Sequence, residues 1–483
     1  MGEAGQRSRL FGTDGVRGVA GDELTVRLAM DLSAAAAAVL GRQADTTGRP
    51  VAVVGRDPRL SGEFLEAAVV AGLASAGVDV LRLGVIPTPG VAYLTGALGA
   101  SFGVVISASH NPAADNGIKF FGRGGVKLPD PTEDAIEARL KEGPPGQPAQ
   151  FGRVSDATAE HERYLDHLLA TLPQGPQPPL AGLRIVADCA HGAAYRIAPQ
   201  ALRRAGADVI TIGADPDGLN INEGCGSTAL GALSAAVVAH GADAGIAYDG
   251  DADRCLAVDA DGQSLDGDQI LTVLATEMKE NGRLAGDAVV VTVMSNQGFH
   301  VVMRDAGITV VETPVGDKHV SAAMRDGGYV LGGEQSGHII MLEHATTGDG
   351  VLTSLHLLAS VSRHGVPLAA AAKMMPKYPQ VLVNVPGDAS RLGPGVDAAV
   401  RRAEAQLGGD GRVLVRPSGT EPKIRLMIQA RDAALAERVI SQLADEVRLA
   451  LLVPGGTTPQ NLPRTGGSTP PYPPGPPGAL AGQ

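Results

Sequence analysis

The chain has 483 residues, of which 44% are hydrophobic and 19% charged, and its formal net charge is −12 at pH 7. At about 150 residues per domain, this length predicts three or four domains. The acidic balance argues against nucleic acid or an anionic membrane as the main partner, but it leaves room for a local basic site that binds a phosphorylated small molecule.

The N-terminal residues 1–9 carry no apolar leader, and no apolar run reaches the ~18 residues that span a bilayer. Cys189, Cys225 and Cys255 are far apart and lack CxxC spacing, so we expect buried, reduced thiols. These features favour a cytoplasmic protein.

The segment FGTDGVRG at residues 11–18 is rich in glycine and contains one basic residue, Arg17. It lacks the GxGxxG order of a dinucleotide loop, and no predicted strand precedes it. The P-loop pattern is also absent from the chain. A nucleotide-binding fold of either kind is therefore not supported.

A weak internal repeat begins after this segment. In each of three copies, a β-branched run leads through a helix-like stretch and a glycine to a second strand. The glycines are Gly77, Gly206 and Gly307, and each is predicted to end a helix. This is the βαβ pattern, which implies parallel sheets. The paired runs are residues 51–55 and 76–80, 183–187 and 205–209, and 288–291 and 306–310.

Each repeat continues into a further strand that ends in a polar loop. The strands are predicted at residues 103–106, 245–248 and 329–331. Ligands of open parallel sheets bind beyond the carboxyl ends of strands. We therefore expect the three loops to share one cleft between domains.

The first of these loops is SASHNP at residues 107–112, where an apolar strand delivers two serines before a proline stops regular structure. A hydroxyl presented in this way is either a nucleophile, with His110 as its base, or a carrier of phosphate. Lys119 follows closely. It is either a solvated lysine or an acid/base group whose pKa falls on burial.

The second loop, DGDADR, places Asp249, Asp251 and Asp253 at alternate positions, a spacing that can aim carboxylates at one Mg²⁺ ion. An ordinary turn rich in Asp and Gly is an equally good explanation of this pattern alone. A calcium EF-hand is rejected, because Arg254 and Ala260 stand where that loop needs Gly and Glu. Arg254 favours an anion near the metal.

The third loop, GEQSGH at residues 333–338, offers Glu334 and Ser336 to sugar hydroxyls and His338 for proton transfer. Taken alone, this loop is better explained as a simple turn. Further along, Arg416, Ser418, Gly419 and Thr420, with Arg425, have the features of a phosphate cradle, for which a plain turn is again the alternative.

Composition also marks candidate boundaries. Stretches rich in Pro, Gly and Gln lie at residues 143–150 and 173–179, and a last unit begins near Lys373. Residues 453–483 are rich in Pro, Gly and Thr with almost no apolar periodicity, and we predict a disordered tail.

Six motifs in this order resemble the α-D-phosphohexomutase family over roughly residues 8 to 450. They are FGTDGVRG, SASHNP, DNGIKFF, DGDADR, GEQSGH and RPSGTEP. Gln335 and the opening motif are similar to the glucosamine subgroup, whereas the mannose/glucose subgroup typically has Met in place of that Gln.

The resemblance implies an α/β fold. It has three related α/β domains with mixed, largely parallel sheets around a central cleft, and a smaller C-terminal α+β domain. The expected domains are residues 1–158 with the phosphoserine loop, 159–259 with the metal loop, 260–372 with the sugar loop and 373–452 with the phosphate loop, followed by the tail at 453–483.

The resemblance also implies roles for individual residues. Ser109 would carry a phosphoryl group, and Ser107 would be a loop residue. Mg²⁺ would be held by Asp249, Asp251, Asp253 and an oxygen of phosphorylated Ser109. The substrate would be bound by Arg254, Glu334, Ser336, Arg416, Ser418, Gly419, Thr420 and Arg425. Arg17, Lys119 and His338 would assist transfer.

The implied reaction interconverts glucosamine 6-phosphate and glucosamine 1-phosphate through glucosamine 1,6-bisphosphate, and it would feed UDP-N-acetylglucosamine and peptidoglycan synthesis. Mutases of mannose or glucose phosphates are the alternative within the family. A phosphoserine-type sugar phosphatase and a non-catalytic sugar-phosphate sensor are alternatives of other classes. A homodimer is left open, as is the source of the Ser109 phosphate, an activating kinase or autophosphorylation.

Two segments depart from the family pattern. Ala229 stands where His often follows Cys-Gly-Ser-Thr, and Lys318 with His319 replaces the usual Arg-Tyr pair. A lysine keeps the positive charge of arginine but loses its planar fork. Both departures concern the substrate preference of the subgroup rather than phosphoryl transfer.

Overall fold

The computed structural model describes residues 9–12, 14–41, 48–143, 146, 148, 150–388, 392–408, 411–417 and 423–452. It divides into two compact units, residues 1–378 and residues 379–483. Among the described residues, no helix is both long and apolar enough to cross a membrane. The predicted tail at residues 453–483 lies outside the described residues and stays a prediction.

The first repeat of the N-terminal unit forms a sheet with the order β1-β5-β4-β2-β3-β7, and β6 pairs with β5. Its elements are β1 (Val16–Val19), α1 (Val26–Leu40), β2 (Val51–Arg56), α2 (Leu60–Ser75), β3 (Asp79–Val85), α3 (Thr88–Ala97), β4 (Phe102–Ile106), β5 (Asp115–Gly122), β6 (Val126–Lys127), α4 (Asp130–Lys141) and β7 (Val154–Asp156).

The second repeat has the sheet order β12-β11-β10-β8-β9. Its elements are α5 (His161–Ala170), β8 (Arg184–Asp188), α6 (Ala194–Arg204), β9 (Asp208–Ile212), α7 (Gly231–His240), β10 (Ala244–Tyr248), β11 (Cys255–Asp259) and β12 (Ser264–Leu265).

The third repeat has the sheet order β14-β13-β15-β16. Its elements are α8 (Gly267–Glu280), β13 (Ala288–Thr292), α9 (Gln297–Asp305), β14 (Thr309–Thr313), α10 (Asp317–Gly327), β15 (Leu331–Gly333), β16 (Ile339–Met341), α11 (Gly350–His364) and α12 (Leu368–Ala372).

The three sheets share a core of four strands with one topology, which confirms the predicted repeat and the mixed α/β fold. The central strand of this core (β2, β8 or β13) lies between the next two strands (β3 and β4, β9 and β10, or β14 and β15) and runs parallel to both. A further strand (β5, β11 or β16) then returns antiparallel beside β4, β10 or β15. The sheets also share one buried apolar cluster, which runs from Val53 in the first repeat to Met375 after the third. The N-terminal unit therefore has a continuous core.

The three predicted glycines end helices in the same way. Gly77, Gly206 and Gly307 all have positive φ, at 88°, 106° and 66°. In each repeat the amide after the glycine donates to a carbonyl five residues earlier, as Val78 does to Leu73. This is the Schellman arrangement, and it turns the chain from helix into the second strand.

The third strand of the last repeat is displaced from its prediction by two residues. It was expected at residues 329–331 and is observed as Leu331–Gly333. The cause is the end of α10, where Gly328 is left-handed and the Tyr329 amide still donates to the Met324 carbonyl. Tyr329 therefore belongs to the helix cap.

The C-terminal unit is α+β, as predicted. Its antiparallel sheet has the order β17-β19-β18, with strands β17 (Gln380–Pro386), β18 (Gly411–Pro417) and β19 (Lys423–Ala430). Helices α13 (Pro394–Leu407) and α14 (Ala433–Leu452) pack with the sheet around a separate apolar core. All three cysteines of the chain lie in the N-terminal unit and are buried and free, as expected.

Substituting Gly206 with alanine is expected to destabilise the N-terminal unit more than the same change at Gly241. Both glycines have positive φ, which costs an L-residue about 1–2 kcal/mol. A Cβ at Gly206 would also lie 2.6 Å from Cβ of Pro178, whereas nothing lies within 4 Å at Gly241. Urea unfolding of both variants measures the difference. Equal losses would contradict the role of this close approach.

Candidate active site

The three predicted loops meet at one cavity of about 430 Å³. Strands β4, β10 and β15 each end directly before one of the loops, so parallel topology brings the loops to one edge. The predicted residues that line the cavity are Arg17, Ser109, Asp253, Arg254, Glu334 and His338. The shared cleft predicted for these three loops is therefore confirmed within the N-terminal unit.

Ser109 is held in a conformation that few non-glycine residues adopt. Its φ is +53° and the residue is only 2% exposed. Its amide donates to Oγ of Ser107, and that hydroxyl donates to Oδ2 of Asp57 over 2.6 Å. Ser107 thus braces the loop from behind and leaves Ser109 to face the cavity. Such strain at a buried hydroxyl is typical of functional loops.

Arg59, which sequence reasoning missed, is the main support of this loop. The side chain is completely buried, pairs with Asp57 over 2.8 Å, and donates to the carbonyl oxygens of Ser109 (2.9 Å), Asn111 (2.8 Å) and Pro112. The sequence did contain a signal for Arg59, because Asp57 and Arg59 follow β2 at the same sheet edge as the three loops.

Asn222 from the second repeat adds a brace across the domain boundary. Its Nδ2 donates to the carbonyls of Ser109 (3.0 Å) and Asn111 (3.1 Å), and its own φ is +61°. No motif marks this residue in the sequence.

The three aspartates form a buried cluster with one carboxylate oxygen from each within 4.8 Å of the others. Oγ of Ser109 donates to Oδ2 of Asp249 over 2.6 Å. Oδ1 of Asp251 and Oδ1 of Asp253 are buried and have no hydrogen-bond partner among the described residues. Unpartnered hard oxygens that converge beside a hydroxyl fit a divalent metal ion.

The pKa shift of Asp249 in the aspartate cluster also favours a divalent metal ion. Burial raises the pKa of Asp249 well above its ordinary value, and Asp253 and Asp251 raise it further. Arg254 lies 4.0 Å from Asp249 and 3.8 Å from Asp253. A divalent cation would stabilise all three carboxylates in their ionised form.

Lys119 is 3% exposed, so the solvated alternative is wrong. Its Nζ lies 2.6 Å from Asp14 and 2.9 Å from Asp251. Burial alone would lower the pKa of Lys119, but the two carboxylates more than offset it and the pKa is raised. The prediction of a lowered pKa is therefore wrong, because it considered burial without the partners.

Asp14 and Thr88, which the sequence analysis missed, hold Lys119 and its partner Asp251. Asp14 binds three cations: Lys119, Arg17 at 2.6 Å and Lys127 at 3.1 Å. Burial raises the pKa of Asp14, but these cations hold it well below its ordinary value. The hydroxyl of Thr88 donates to Oδ2 of Asp251 over 2.7 Å.

His338 lies between two carboxylates, with Nδ1 3.5 Å from Asp253 and Nε2 3.5 Å from Asp317. The Gly348 amide donates to Nε2 over 3.0 Å, which places the proton of the neutral ring on Nδ1. Burial lowers the pKa of His338, but the carboxylates outweigh it and the pKa is raised.

His110 contacts the serine less closely than Asp249 does. Its Nδ1 is 3.2 Å from Oγ of Ser109, against 2.6 Å for the carboxylate. Burial and the charges of Arg254 and Arg17 lower the pKa of His110. The geometry favours the phosphate-carrier alternative over a serine with His110 as base.

The residues expected to bind sugar are placed by the third loop. Oε1 of Glu334 accepts a hydrogen bond from the Gly316 amide over 3.1 Å. The Ser336 hydroxyl is buried and has no hydrogen-bond partner within the described ranges. The side chain of Gln335 donates to Asp266.

Arg416 and Arg425 face each other across strands β18 and β19 of the C-terminal unit. Burial and the charge of Arg425 lower the pKa of Arg416. Two opposed guanidinium groups form a favourable position for an anion. Ser418, Gly419 and Thr420 lie outside the described residues, so their predicted role is not addressed by the structure.

Comparison with known proteins agrees with this architecture. Models of the phosphoglucomutase/phosphomannomutase family match in sequence order: α/β/α domain I at residues 8–146, domain II at 162–262, domain III at 266–378 and the C-terminal domain at 370–446. The chain belongs to this family. The predicted domain boundaries differ from these spans by several residues and remain predictions.

Relatives of high identity carry a more specific name. The chain is 62% identical to the phosphoglucosamine mutase of Thermobifida fusca, over 91% of this chain and 98% of the relative. It is 59% identical to that of Streptomyces griseus, over 92% and 99%. A phosphoglucomutase/phosphomannomutase family protein from Burkholderia thailandensis has the same fold, with a TM-score of 0.76, 24% identity and coverage of 92% and 97%.

One departure from the family pattern has a structural explanation. Lys318 pairs with Asp130 over 2.7 Å and with Glu133 over 2.8 Å, and so joins α10 to α4. A single ammonium group makes both contacts, so the lost fork of arginine is compensated here. Nothing in the structure explains Ala229.

Replacing Arg59 with methionine is expected to destabilise this family member by about 3–5 kcal/mol, because it leaves Asp57 buried and unpaired and frees the loop carbonyls. Arg59→Lys restores one charge but not the fork, and should lose less. Urea unfolding measures both. Arg27→Met, which removes an exposed pair with Asp31, is the control and should leave the midpoint unchanged. Equal midpoints for Arg59→Met and the control would contradict the buried role.

Proposed function

We propose that this protein interconverts glucosamine 6-phosphate and glucosamine 1-phosphate. The observation that carries the proposal is the strained, buried Ser109 hydroxyl, which donates to Asp249 within a cluster of three carboxylates. The names of the relatives at 62% and 59% identity support glucosamine over mannose or glucose as the sugar.

In the first half-reaction, phosphorylated Ser109 gives its phosphoryl group to the free hydroxyl of glucosamine 6-phosphate. The bond between phosphorus and Oγ breaks, a bond to the sugar oxygen forms, and the hydroxyl proton leaves the sugar as Oγ regains one. The product is glucosamine 1,6-bisphosphate. In the second half-reaction the 6-phosphoryl group returns to Ser109, and glucosamine 1-phosphate leaves.

Asp249, Asp251, Asp253 and an oxygen of phosphorylated Ser109 would hold Mg²⁺. When bound, this ion supplies charge stabilisation to the transferring group. Arg254, Arg17 and Lys119 add positive charge around the same position, and a phosphoserine of about −1.5 to −2 charge needs such partners.

His338 is the better candidate for moving the sugar proton. Lys119 has a raised pKa and two carboxylate partners, so it remains a cation and acts through its charge. His338 is buried beside the cavity and has its proton position set by Gly348. Glu334 would accept hydrogen bonds from sugar hydroxyls, and Ser336 would donate one to them.

The phosphate that is not reacting would be bound by Arg416, Ser418, Gly419, Thr420 and Arg425. We expect the reaction to occur in the cytoplasm and to feed UDP-N-acetylglucosamine and peptidoglycan synthesis.

The reaction is tested by comparing kcat/KM for glucosamine, glucose and mannose 6-phosphates with a trace of sugar bisphosphate. Glucosamine 6-phosphate should be the best substrate. Ser109→Ala should lower turnover at least ~10³-fold, because no carrier remains, while calorimetry still detects binding of glucosamine 6-phosphate. Ser75→Ala, at the end of α2, is the matched control. Inorganic phosphate released as fast as substrate disappears would instead identify a phosphatase.

The metal site is tested by thermal unfolding. At about 100 times its dissociation constant, Mg²⁺ should stabilise the protein by about 2.7 kcal/mol. Asp251→Asn should remove most of this increment, and chelation should abolish turnover. Asp261→Asn, an exposed aspartate outside the cluster, should keep the increment. A Mg²⁺ increment that Asp251→Asn leaves intact would place the ion elsewhere.

A further inference from the structure

Gln335, the residue that sets the glucosamine subgroup apart in the sequence, makes its contacts behind the sugar loop. Its Nε2 donates to Oδ2 of Asp266 over 3.2 Å. Its carbonyl accepts from the Gly267 amide over 2.9 Å. Because Gln335 lies between Glu334 and Ser336, these two bonds fix the position of both sugar-facing neighbours.

Asp266 has a second partner on the same oxygen. Its Oδ2 lies 2.8 Å from Nζ of Lys377, and its side chain is 13% exposed. Its other oxygen, Oδ1, caps α8 by accepting from the Gln269 amide. One carboxylate therefore joins the sugar loop, the start of α8 and a residue close to the end of the N-terminal unit.

One direct hydrogen bond, and a chain of hydrogen bonds through Asn296, also link the first turn of α8 to residues 372–378. Nε2 of Gln269 donates to the Ala372 carbonyl over 3.3 Å. Oδ2 of Asp268 accepts from the Asn296 amide over 2.7 Å, and the Asn296 side chain binds both the N–H and the C=O of Tyr378 at 3.0 Å. The C-terminal unit begins at the next residue.

The sugar loop is in close backbone contact with the first turn of α8. A Cβ at Gly267 would collide with the carbonyl oxygen of Glu334. A movement of the first turn of α8 toward the loop would therefore press on the Glu334 backbone. The turn is in contact with the sugar loop on one side and with the segment that enters the C-terminal unit on the other.

We propose that Asp266 is a positioning residue that couples the sugar loop, residues 333–338, to the segment at residues 372–378 through Gln335 and Lys377. The coupling rests on the proposed function for its effect on sugar binding. Ordering of the sugar loop by substrate then orders the segment that carries the chain into the C-terminal unit, and the reverse holds by linkage.

A double-mutant cycle on Gln335→Met and Lys377→Met tests the coupling. Gln335→Met should lower kcat/KM for glucosamine 6-phosphate about tenfold, mainly through KM, because a hydrogen bond to a charged group is lost. Lys377→Met should lower it about two- to fivefold, as expected for an ion pair whose lysine is about half exposed. The double variant should lose less than the product of the two effects, because both act through one carboxylate.

Two further variants separate positioning from helix capping. Asp266→Asn can keep the capping oxygen, but it replaces Oδ2 with an amide nitrogen that accepts from neither Gln335 nor Lys377, so it should reproduce the KM change of the double variant with little loss of stability. Lys279→Met removes a lysine from the other end of α8, where it pairs with Asp287. When Lys279→Met is combined with Gln335→Met, the two effects on kcat/KM should multiply.

Hydrogen exchange gives a readout that does not depend on the reaction. Without any sugar present, Lys377→Met should speed exchange of the amides of Glu334 and Gly337, which are bonded within the loop, and Lys279→Met should not. Faster exchange in a protein that lacks mutase activity would support the coupling and reject the proposed function. Unchanged exchange with multiplicative kinetics in an active protein would overturn the coupling alone.

Discussion

Repulsion among three buried carboxylates is the constraint on which the rest of the site depends. Asp249, Asp251 and Asp253 converge within 4.8 Å at the end of β10. Burial and the two neighbouring carboxylates raise the pKa of Asp249, whereas His338, Lys119 and Arg254 outweigh burial at Asp253 and lower its pKa. Lys119 and Arg254 offset part of this charge, and Oδ1 of Asp251 and Oδ1 of Asp253 still have no hydrogen-bond partner among the described residues. A site of this kind is poised to take up a divalent cation.

The same constraint explains why the serine loop is so heavily braced. A phosphoryl group on Ser109 would bring further negative charge toward Asp249, so the loop must withstand repulsion without moving. The supports are buried Arg59, Asn222 from the second repeat, and the chain from Ser107 to Asp57. Because the Arg59 contacts involve carbonyl oxygens, they hold the backbone and leave the hydroxyl free for chemistry.

Repetition of one topology makes the cleft possible. The three sheets share a four-strand core in which a parallel strand ends at a polar loop, and one continuous apolar cluster fixes the three strand ends relative to one another. Contributions from separate repeats can then differ in chemistry: a hydroxyl, a carboxylate cluster, and a loop that brings Glu334 and His338 to the cavity. The start of α8 adds a further connection, because Asp266 there contacts both Gln335 of the sugar loop and Lys377, close to where the C-terminal unit begins.

Much of the fold and part of the candidate site could be predicted from the sequence alone. The βαβ periodicity, the left-handed glycines and the position of Ser109 and the aspartates at strand ends follow from local patterns, because strand and helix periods and φ preferences are properties of short segments. The direction of the Lys119 pKa, and the roles of Asp14, Arg59 and Asn222, were decided only by tertiary structure. Each depends on partners about 50 to 130 residues away along the chain, as in the contacts of Arg59 with Ser109, of Asn222 with Ser109 and of Lys119 with Asp251. A buried charge takes its properties from such neighbours, and no local pattern specifies them.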